Sequence, residues 1–287
     1  MQQPVVSIVV PCYKKAQYLS EALDSVLAQS YSVWECVIVN DGSPDNTEEI
    51  AMAYCQRDAR FHYLAQPNQG VSAARNNGIR LLQGKYILTL DADDWISPTY
   101  LEKAVSCLEE SPEVKAVYSR CELFGSFGKR EWVMPEYSYE RFVMGDMAIV
   151  CSAVYRRTDF DHIGGYDESF QGYEDWDFWL SLLKKEDVVV RLDELLFHYR
   201  NDSSIISNMV SQNVKALRNK LCKKHEDIYQ PMFADLLYYY GLGQELEAVK
   251  KDLERTRKVY SSHAYQLGKL MMKPFSFLKR RLRREAK

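Results

Sequence analysis

Short apolar segments alternate with amphipathic ones over the first third of the chain. The apolar segments are rich in β-branched residues, which favours buried strands, and they cover residues 5–13, 34–41, 60–64 and 85–94. The segments between them carry apolar residues at helical spacing and cover residues 17–29, 43–58 and 70–84. Strands that alternate with helices of this length predict an α/β fold with a mostly parallel sheet and helices on both faces.

The alternation loosens after Ser97. The pattern there predicts a helix at 99–110, a strand at 114–120, an aromatic-rich variable segment at 124–139, a helix that follows residues 172–176, and a strand at 187–200. Helical spacing then continues through residues 209–225 and 232–258.

The second of these C-terminal helical segments has a narrow apolar stripe. Its members step by four, three and four residues, and they are Leu242, Leu246, Val249 and Leu253. This spacing is typical of a coiled-coil-like seam. It predicts either a homodimer contact or packing against the body of the same chain.

Composition indicates a globular protein outside the bilayer. Of the 287 residues, 46% are hydrophobic and 27% are charged, which is usual for soluble proteins. The apolar runs are shorter than the roughly 20 residues that span a membrane, and the N-terminus lacks the features of a signal peptide. The seven cysteines are odd in number and have no metal-binding spacing, which predicts reduced thiols in a cytoplasmic protein.

Charge is unevenly distributed. Residues 263–287 contain eight Lys or Arg and one Glu, a net charge of +7, whereas the whole chain has a net charge of -3. Apolar residues are interleaved with these basic ones, which predicts that the segment lies on an anionic membrane surface at the inner face of the cell membrane. Nucleic acid is the weaker alternative, because it would leave the apolar face unused.

The most unusual segment is the acidic segment, residues 91–94, in which a strand-like run ends in Asp91, Asp93 and Asp94. Three carboxylates so close together repel one another unless a cation lies among them. Oxygen ligands of this kind suit Mg²⁺ or Mn²⁺, and an extended backbone would point Asp91 and Asp93 the same way. An EF-hand calcium loop is excluded, because Trp95 and Ile96 occupy its fifth and sixth positions.

Three other loops follow the predicted parallel strands, where open α/β sheets bind ligands. They are residues 11–13, 40–43 and 66–70. Tyr13 could stack on a ligand or simply pack, and Asp41 could accept an N–H from a base or simply form a turn. Arg75, one turn into the following helix, could bridge to phosphate or to the acidic segment, or could be an ordinary surface arginine.

A second group of acids opens a helix among aromatic residues. Glu174, Asp175 and Asp177 could merely complement the helix dipole. A carboxylate beside apolar rings also has its pKa raised, which suits a general base. Farther on, His198 could contact a metal or phosphate or could be structural.

Together these motifs resemble the GT-A glycosyltransferases of family 2. The resemblance rests on VSIVVPCYKKAQYLSEALDSVLAQSYSVWECVIVNDGSPDNT, QPNQGVSAARNNGI, YILTLDADDW and GYEDWDFWLSL, in this order over residues 5–205. It implies a Rossmann-like GT-A fold, a nucleotide-sugar donor, a divalent metal (Mn²⁺ or Mg²⁺) and inversion at the anomeric carbon.

The resemblance also implies a role for individual residues. Asp175 would be the catalytic base with Glu174 beside it, and Asp93 would bind the metal together with Asp91. The implied donor-binding residues are Pro11, Tyr13, Asp41, Arg75, Asp91, His198 and Arg200. The acceptor would be a glycan or a lipid-linked glycan of a cell-surface polysaccharide.

The resulting domain prediction has three parts. Residues 1–205 would form the catalytic domain, with a nucleotide-binding half at 1–97 and an acceptor half at 98–205, followed by a helical extension at 206–262 and the basic tail at 263–287. A sugar nucleotidyltransferase is disfavoured because the first loop lacks glycine, and an aspartyl phosphatase because its acidic motif would follow the first strand. A noncatalytic nucleotide- and metal-binding scaffold stays open, since only residues 172–176 argue against it.

Overall fold

The computed structural model describes residues 3–146, 148–149, 151–202 and 214–262. The chain divides into two units, Met1–Glu226 and Asp227–Lys287, and each is described by itself. The predicted tail at 263–287 and residues 209–213 of a predicted helix lie outside the described residues. No helix among the described residues is both long and apolar enough to cross a bilayer.

The first half of the larger unit alternates strand and helix as predicted. Its elements are β1 (Val6–Cys12), α1 (Ala16–Leu27), β2 (Trp34–Asp41), α2 (Thr47–Arg57), β3 (Phe61–Gln66), α3 (Val71–Leu81) and β4 (Tyr86–Thr89). The four strands are parallel and lie in the order β3-β2-β1-β4. Their carboxyl ends therefore meet at one edge of the sheet, which gathers the four candidate loops.

The second half completes a nine-stranded mixed sheet. Its elements are β5 (Trp95–Ile96), α4 (Tyr100–Glu110), β6 (Val114–Phe124), β7 (Arg130–Trp132), α5 (Tyr139–Val143), β8 (Val154–Arg156), α6 (Arg157–Ile163), α7 (Glu174–Leu182), β9 (Val188–Arg200) and α8 (Val214–Lys224). The sheet order is β3-β2-β1-β4-β8-β6-β9-β5, with β7 paired to β6, and β8 runs antiparallel to both its neighbours. The predicted α/β fold is confirmed, and the unpredicted β8 lies at the centre of the sheet.

Close packing of α3 against the sheet positions the site. Gly78 is the contact point, because a Cβ atom there would lie 2.5 Å from Cγ1 of Val9 on β1. A larger residue would push the helix outward, and Arg75, one turn earlier, would move with it. Every residue of β1 is buried, so the helix rests on a rigid surface.

The smaller unit consists mainly of α10 (Phe233–Ser261), with the short α9 (Glu226–Tyr229) at the boundary between the units. The predicted helix at 232–258 is confirmed. Its four seam residues are between 40% and 69% exposed. α8 belongs to the larger unit, and the predicted domain boundary at 205 stays a prediction.

Candidate active site

Arg75 lies at the centre of a charged cluster formed by Arg75, Asp91, Glu174 and Asp175. Its side chain is 1% exposed and donates to Oδ1 of Asp175 at 2.5 Å and to Oδ1 of Asp91 at 2.9 Å. Oε1 of Glu174 lies 3.9 Å from the same guanidinium. The interpretation of Arg75 as a surface residue is therefore wrong, and its expected contact with the acidic segment is present. One cation joins acids from two distant parts of the sequence.

Asp175 sits at the start of α7, directly after a strained backbone position. Tyr173 has a φ of 61°, in the left-handed region that bulky residues rarely adopt. Burial raises the pKa of Asp175 to about 7; Arg75 opposes this rise, while Glu174 and Asp91 add to it. A quarter of its side-chain surface is exposed. Asp175 is thus an accessible carboxylate with the proton affinity of a general base near neutral pH.

The acidic segment is a turn and not the end of a strand. β4 stops at Thr89, and the N–H of Asp94 donates to the carbonyl of Asp91 at 3.0 Å. The prediction of an extended backbone to residue 94 is therefore wrong. The side chains diverge: Asp91 faces Arg75, and Asp93 accepts from Nζ of Lys15 at 2.6 Å.

Asp94 is accommodated differently from its two neighbours. It is 2% exposed, and burial raises its pKa well above the usual range, with the charges of Asp91 and Asp93 adding to the effect. Its Oδ1 accepts the backbone N–H of Arg200 at 2.8 Å, and its Oδ2 has no partner among the described side chains. The raised pKa favours the neutral form of Asp94, which lessens the repulsion among the three neighbouring acids.

Arg200 covers the acidic segment from β9. Its Nε donates to the carbonyl of Asp93 at 2.9 Å, and its guanidinium pairs with Glu21 of α1. The guanidinium carbon lies 4.2 Å and 4.4 Å from the ring centres of Tyr18 and Phe124. Arg200 therefore borders the predicted donor site, although its contact with a donor stays a prediction.

His198, two residues before Arg200, is held by one ring stack and by a partner at each ring nitrogen. Its ring stacks on Trp95 at 3.4 Å, and its nitrogens lie 2.9 Å from Oγ of Ser97 and 3.0 Å from Oε2 of Glu122. Burial lowers its pKa, and Glu122 opposes this. The geometry favours the structural alternative, because both nitrogens already have partners, and a donor-binding role stays a prediction.

The loops after β1 and β2 differ in accessibility. Asp41 is buried and accepts the backbone N–H groups of Gln69 and Gly70 at 2.8 and 2.9 Å, so it anchors the loop at 66–70. Pro11 is buried in β1, whereas Tyr13 just beyond it is 42% exposed. Tyr13 is exposed enough to stack on a planar ligand, with Nζ of Lys14 5.0 Å from its ring centre, while base binding by Asp41 would require rearrangement of its loop.

Asp177 faces away from the charged cluster and fixes α7 to α8. It is 2% exposed and accepts from Nζ of Lys224 at 2.7 Å and from Nε2 of His225 at 2.8 Å. Two residues along a helix turn the side chain by about 200°, so Asp175 and Asp177 face opposite sides. These acids are grouped in the sequence pattern, and helical geometry separates them. Lys15 was not among the predicted site residues, and its signal in the sequence is its position just after the first loop.

The described residues contain no group of three or more His, Cys, Asp or Glu side chains that could hold a metal. Mg²⁺ commonly needs only one or two carboxylates together with substrate phosphates. Asp91 and Asp93 provide such oxygens at 31% and 16% side-chain exposure. They fit a metal that arrives with a diphosphate, provided that Lys15 shares or releases Asp93.

A cavity of about 240 Å³ adjoins Asp175. Its lining consists of Gly145, Tyr173, Glu174, Asp175, Trp176 and Arg218. The rings of Tyr173 and Trp176 meet edge to face at 5.4 Å. The lining thus combines aromatic surface with a few polar groups, as in small-molecule sites, although the cavity is smaller than most such sites.

The sequence matches protein families and individual proteins that are already known. The family profile described as "Glycosyl transferase family 2" matches residues 7–170, and one described as "Glycosyltransferase like family 2" matches residues 131–232. The uncharacterized glycosyltransferase EpsJ of Bacillus subtilis (strain 168) is 32% identical over 268 residues, covering 87% of this chain and 74% of EpsJ. The uncharacterized glycosyltransferase RT0329 of Rickettsia typhi is 31% identical, covering 73% of this chain and 68% of that protein.

Solved structures share the fold at lower identity. Residues 1–349 of S. aureus TarS, in complex with UDP-GlcNAc, match with a TM-score of 0.61 and 20% identity, covering 72% of this chain and 61% of the TarS chain. The mannosyltransferase PcManGT from Pyrobaculum calidifontis, in complex with GDP-Man and Mn²⁺, matches with a TM-score of 0.58 and 18% identity, covering 94% and 84%. These matches confirm the GT-A fold, and with the family profile they show that the chain belongs to glycosyl transferase family 2.

Proposed function

We propose that this chain is an inverting glycosyltransferase that uses a nucleotide-sugar donor, most simply a UDP-sugar. The observation that carries the proposal is that Arg75 donates both to Asp175 at 2.5 Å and to Asp91 of the acidic segment at 2.9 Å, with the pKa of Asp175 raised by burial. This arrangement joins a candidate base to the acidic segment at the carboxyl edge of the sheet. Residues 1–97 would bind the nucleotide and 98–205 the acceptor.

Donor binding is supported by solved structures of similar fold, whose complexes contain UDP-GlcNAc or GDP-Man. In this chain Tyr13 is exposed for stacking on a base. Lys15 and Arg75 bring positive charge to the acidic segment, where a diphosphate would lie. Asp91 and Asp93 would hold Mn²⁺ or Mg²⁺, which when bound neutralises charge on the departing nucleoside diphosphate.

In the proposed reaction Asp175 removes the proton from an acceptor hydroxyl as that oxygen attacks the sugar. Attack from the face opposite the diphosphate inverts the anomeric carbon and requires no covalent enzyme intermediate. Arg75 keeps Asp175 oriented, and Glu174 raises its proton affinity. The adjoining cavity would receive the acceptor, a glycan or lipid-linked glycan of a cell-surface polysaccharide such as O-antigen, capsule or exopolysaccharide.

Two alternatives differ in what Asp175 does. In a noncatalytic scaffold the acids would bind metal and nucleotide without turnover, and the raised pKa of Asp175 would have no use. A sugar nucleotidyltransferase would need a glycine-rich phosphate loop, and residues 8–18 contain no glycine. The transferase is favoured because it uses both the base and the acids.

We expect metal-dependent binding of one nucleoside diphosphate. Calorimetric titration of UDP and of GDP, with Mn²⁺ or with EDTA, should show binding of one nucleotide that weakens at least about tenfold in Asp93→Ala, because a carboxylate ligand is lost. Asp159→Ala, a paired acid on α6, is the matched control and should bind like the wild type. Equal binding with EDTA and with Mn²⁺ would contradict the metal proposal.

The proposed acceptor is a glycan or a lipid-linked glycan, and the lipid-linked form would agree with a place at the inner face of the cell membrane. The support is the composition of residues 263–287, with a net charge of +7 and interleaved apolar residues. Pairing with anionic lipid would hold the protein near such an acceptor without a membrane-spanning helix.

We expect the full chain to bind vesicles that contain anionic lipid more tightly than a truncation that ends at Ser262. Binding should weaken as salt is raised, because exposed charges are screened. Co-sedimentation with anionic and with zwitterionic vesicles measures both effects. Equal binding of the two proteins would contradict a membrane role for the tail.

A further inference from the structure

The face of α10 that carries Leu242, Leu246, Val249 and Leu253 is apolar, exposed and spaced like the contact surface of a coiled coil. We propose that residues 242–257 form a parallel, two-stranded coiled coil. Leu242, Leu246, Val249 and Leu253 alternate between the d and a positions of a heptad and are 40%, 56%, 62% and 69% exposed. A contiguous apolar stripe of this kind on a polar helix marks a contact surface.

The helix itself also indicates a partner. α10 has 29 residues and contains Gly241 and Gly243 in the interior of its first half. Each glycine costs about 1 kcal/mol relative to alanine in a helix interior. Helices in water depend on packing of an apolar face more than on propensity, so burial of the seam would compensate for the glycines.

The charges beside the seam identify the partner and its direction. With Leu246 at an a position, Glu245 and Asp252 occupy g positions, and Lys250 and Arg257 occupy e positions. In a parallel pair each g residue faces the e residue of the following heptad on the partner helix. Glu245 therefore faces the second copy's residue 250, a lysine, and Asp252 faces the second copy's residue 257, an arginine.

An antiparallel pair would have the opposite electrostatics. There g residues face g residues and e residues face e residues, so acids would meet acids and bases would meet bases. Within one helix Lys250 pairs with Glu247 at 2.8 Å. That exposed pair is weak enough to yield to an interchain contact. The charges at the e and g positions therefore favour a parallel pair formed with a second copy of this chain.

Parallel pairing has a consequence for the ends of the chains. The C-terminal ends of both α10 helices lie at the same end of the coil, and residues 263–287 of each chain continue from there. Two basic segments at one end would bind an anionic surface with greater avidity than one. The interface does not depend on the proposed transfer reaction, so its failure would leave that proposal standing.

The test reverses the flanking charges on the full chain. Sedimentation velocity from about 1 to 100 μM should show a concentration-dependent dimer of the wild type. The double variant Glu245→Lys, Asp252→Lys should dissociate about 100-fold more readily, and so should Lys250→Glu, Arg257→Glu, because each places like charges face to face. An equimolar mixture of the two variants should dimerise again, since every facing pair then becomes opposite in charge.

A matched control separates interface charge from net charge. Glu247→Lys, Glu254→Lys makes the same change in net charge at two b positions, which face away from the seam, and should dimerise like the wild type. A wild type that stays monomeric throughout would overturn the proposal. So would a control variant as weak as the g-position variant, or a mixture that fails to recover. Circular dichroism verifies that each variant keeps its helix content.

Discussion

Replacing Asp175 with asparagine is expected to lower sugar transfer about 10³-fold while leaving nucleotide binding unchanged, because the general base is lost and the donor contacts are kept. Asparagine has nearly the same shape, and its side-chain oxygen can still accept from Arg75. Transfer from a radiolabelled donor gives the rate, and calorimetry with UDP gives the binding. Asp161→Asn on α6, an exposed position, is the matched control.

The dependence on pH provides a second measurement on the same residue. Asp175 must be ionised to accept a proton, so kcat/KM should fall about tenfold per pH unit below pH 7, its pKa being about 7. Glu174→Gln should move this acidic limb to lower pH, because the charge of Glu174 raises the pKa of Asp175. An Asp175→Asn enzyme with wild-type turnover would remove Asp175 as the base and favour the scaffold alternative.

Replacing Arg75 with methionine is expected to damage both activity and stability. Methionine matches the length of the buried stem but leaves Asp91 and Asp175 without their shared cation. Removing one partner of a buried charge cluster costs about 3–5 kcal/mol of unfolding free energy, and protonation of the acids would recover part of it. Urea unfolding measures the loss. In the wild type Arg75 lowers the pKa of Asp175, so the pKa should rise further when Arg75 is removed. The acidic limb of the residual activity should therefore shift above pH 7.

Two comparisons make the Arg75 result specific. Arg80→Met removes the same group from an exposed position on the same helix and should change neither stability nor rate appreciably. Arg75→Lys keeps the charge, but a single ammonium cannot reproduce the two directed contacts of a guanidinium, so activity should recover only in part. Wild-type stability in Arg75→Met would show that the cluster does not hold α3 and α7 together.

Much of the fold could be predicted from sequence because its signals are local. β1 to β4 contain short runs of strand length that are rich in apolar, β-branched and aromatic residues, and the helices between them have amphipathic spacing. β8 could not be found in this way, because three residues carry too little pattern to distinguish a strand from a loop. It gains strand structure only from its antiparallel neighbours, β4 and β6.

The candidate site divides along similar lines. The sequence singled out Asp91, Asp93 and Asp175 and left the role of Arg75 open, and the order of the parallel strands placed the acidic segment at one edge of the sheet with the three other candidate loops. It could not say which acid each cation would neutralise. In the structure Arg75 pairs with Asp91 and also with Asp175, which lies 100 residues away in the sequence. Asp93 pairs instead with Lys15.

The sequence by itself determined the α/β alternation, the loops that hold the acids and the register of the seam on α10, because each depends on spacing within one segment. Only the tertiary structure decided the raised pKa values of Asp94 and Asp175 and the attachment of Asp177 to α8. These depend on burial and on charges from distant segments. Burial and long-range charge are properties of the packed chain, so no local pattern encodes them.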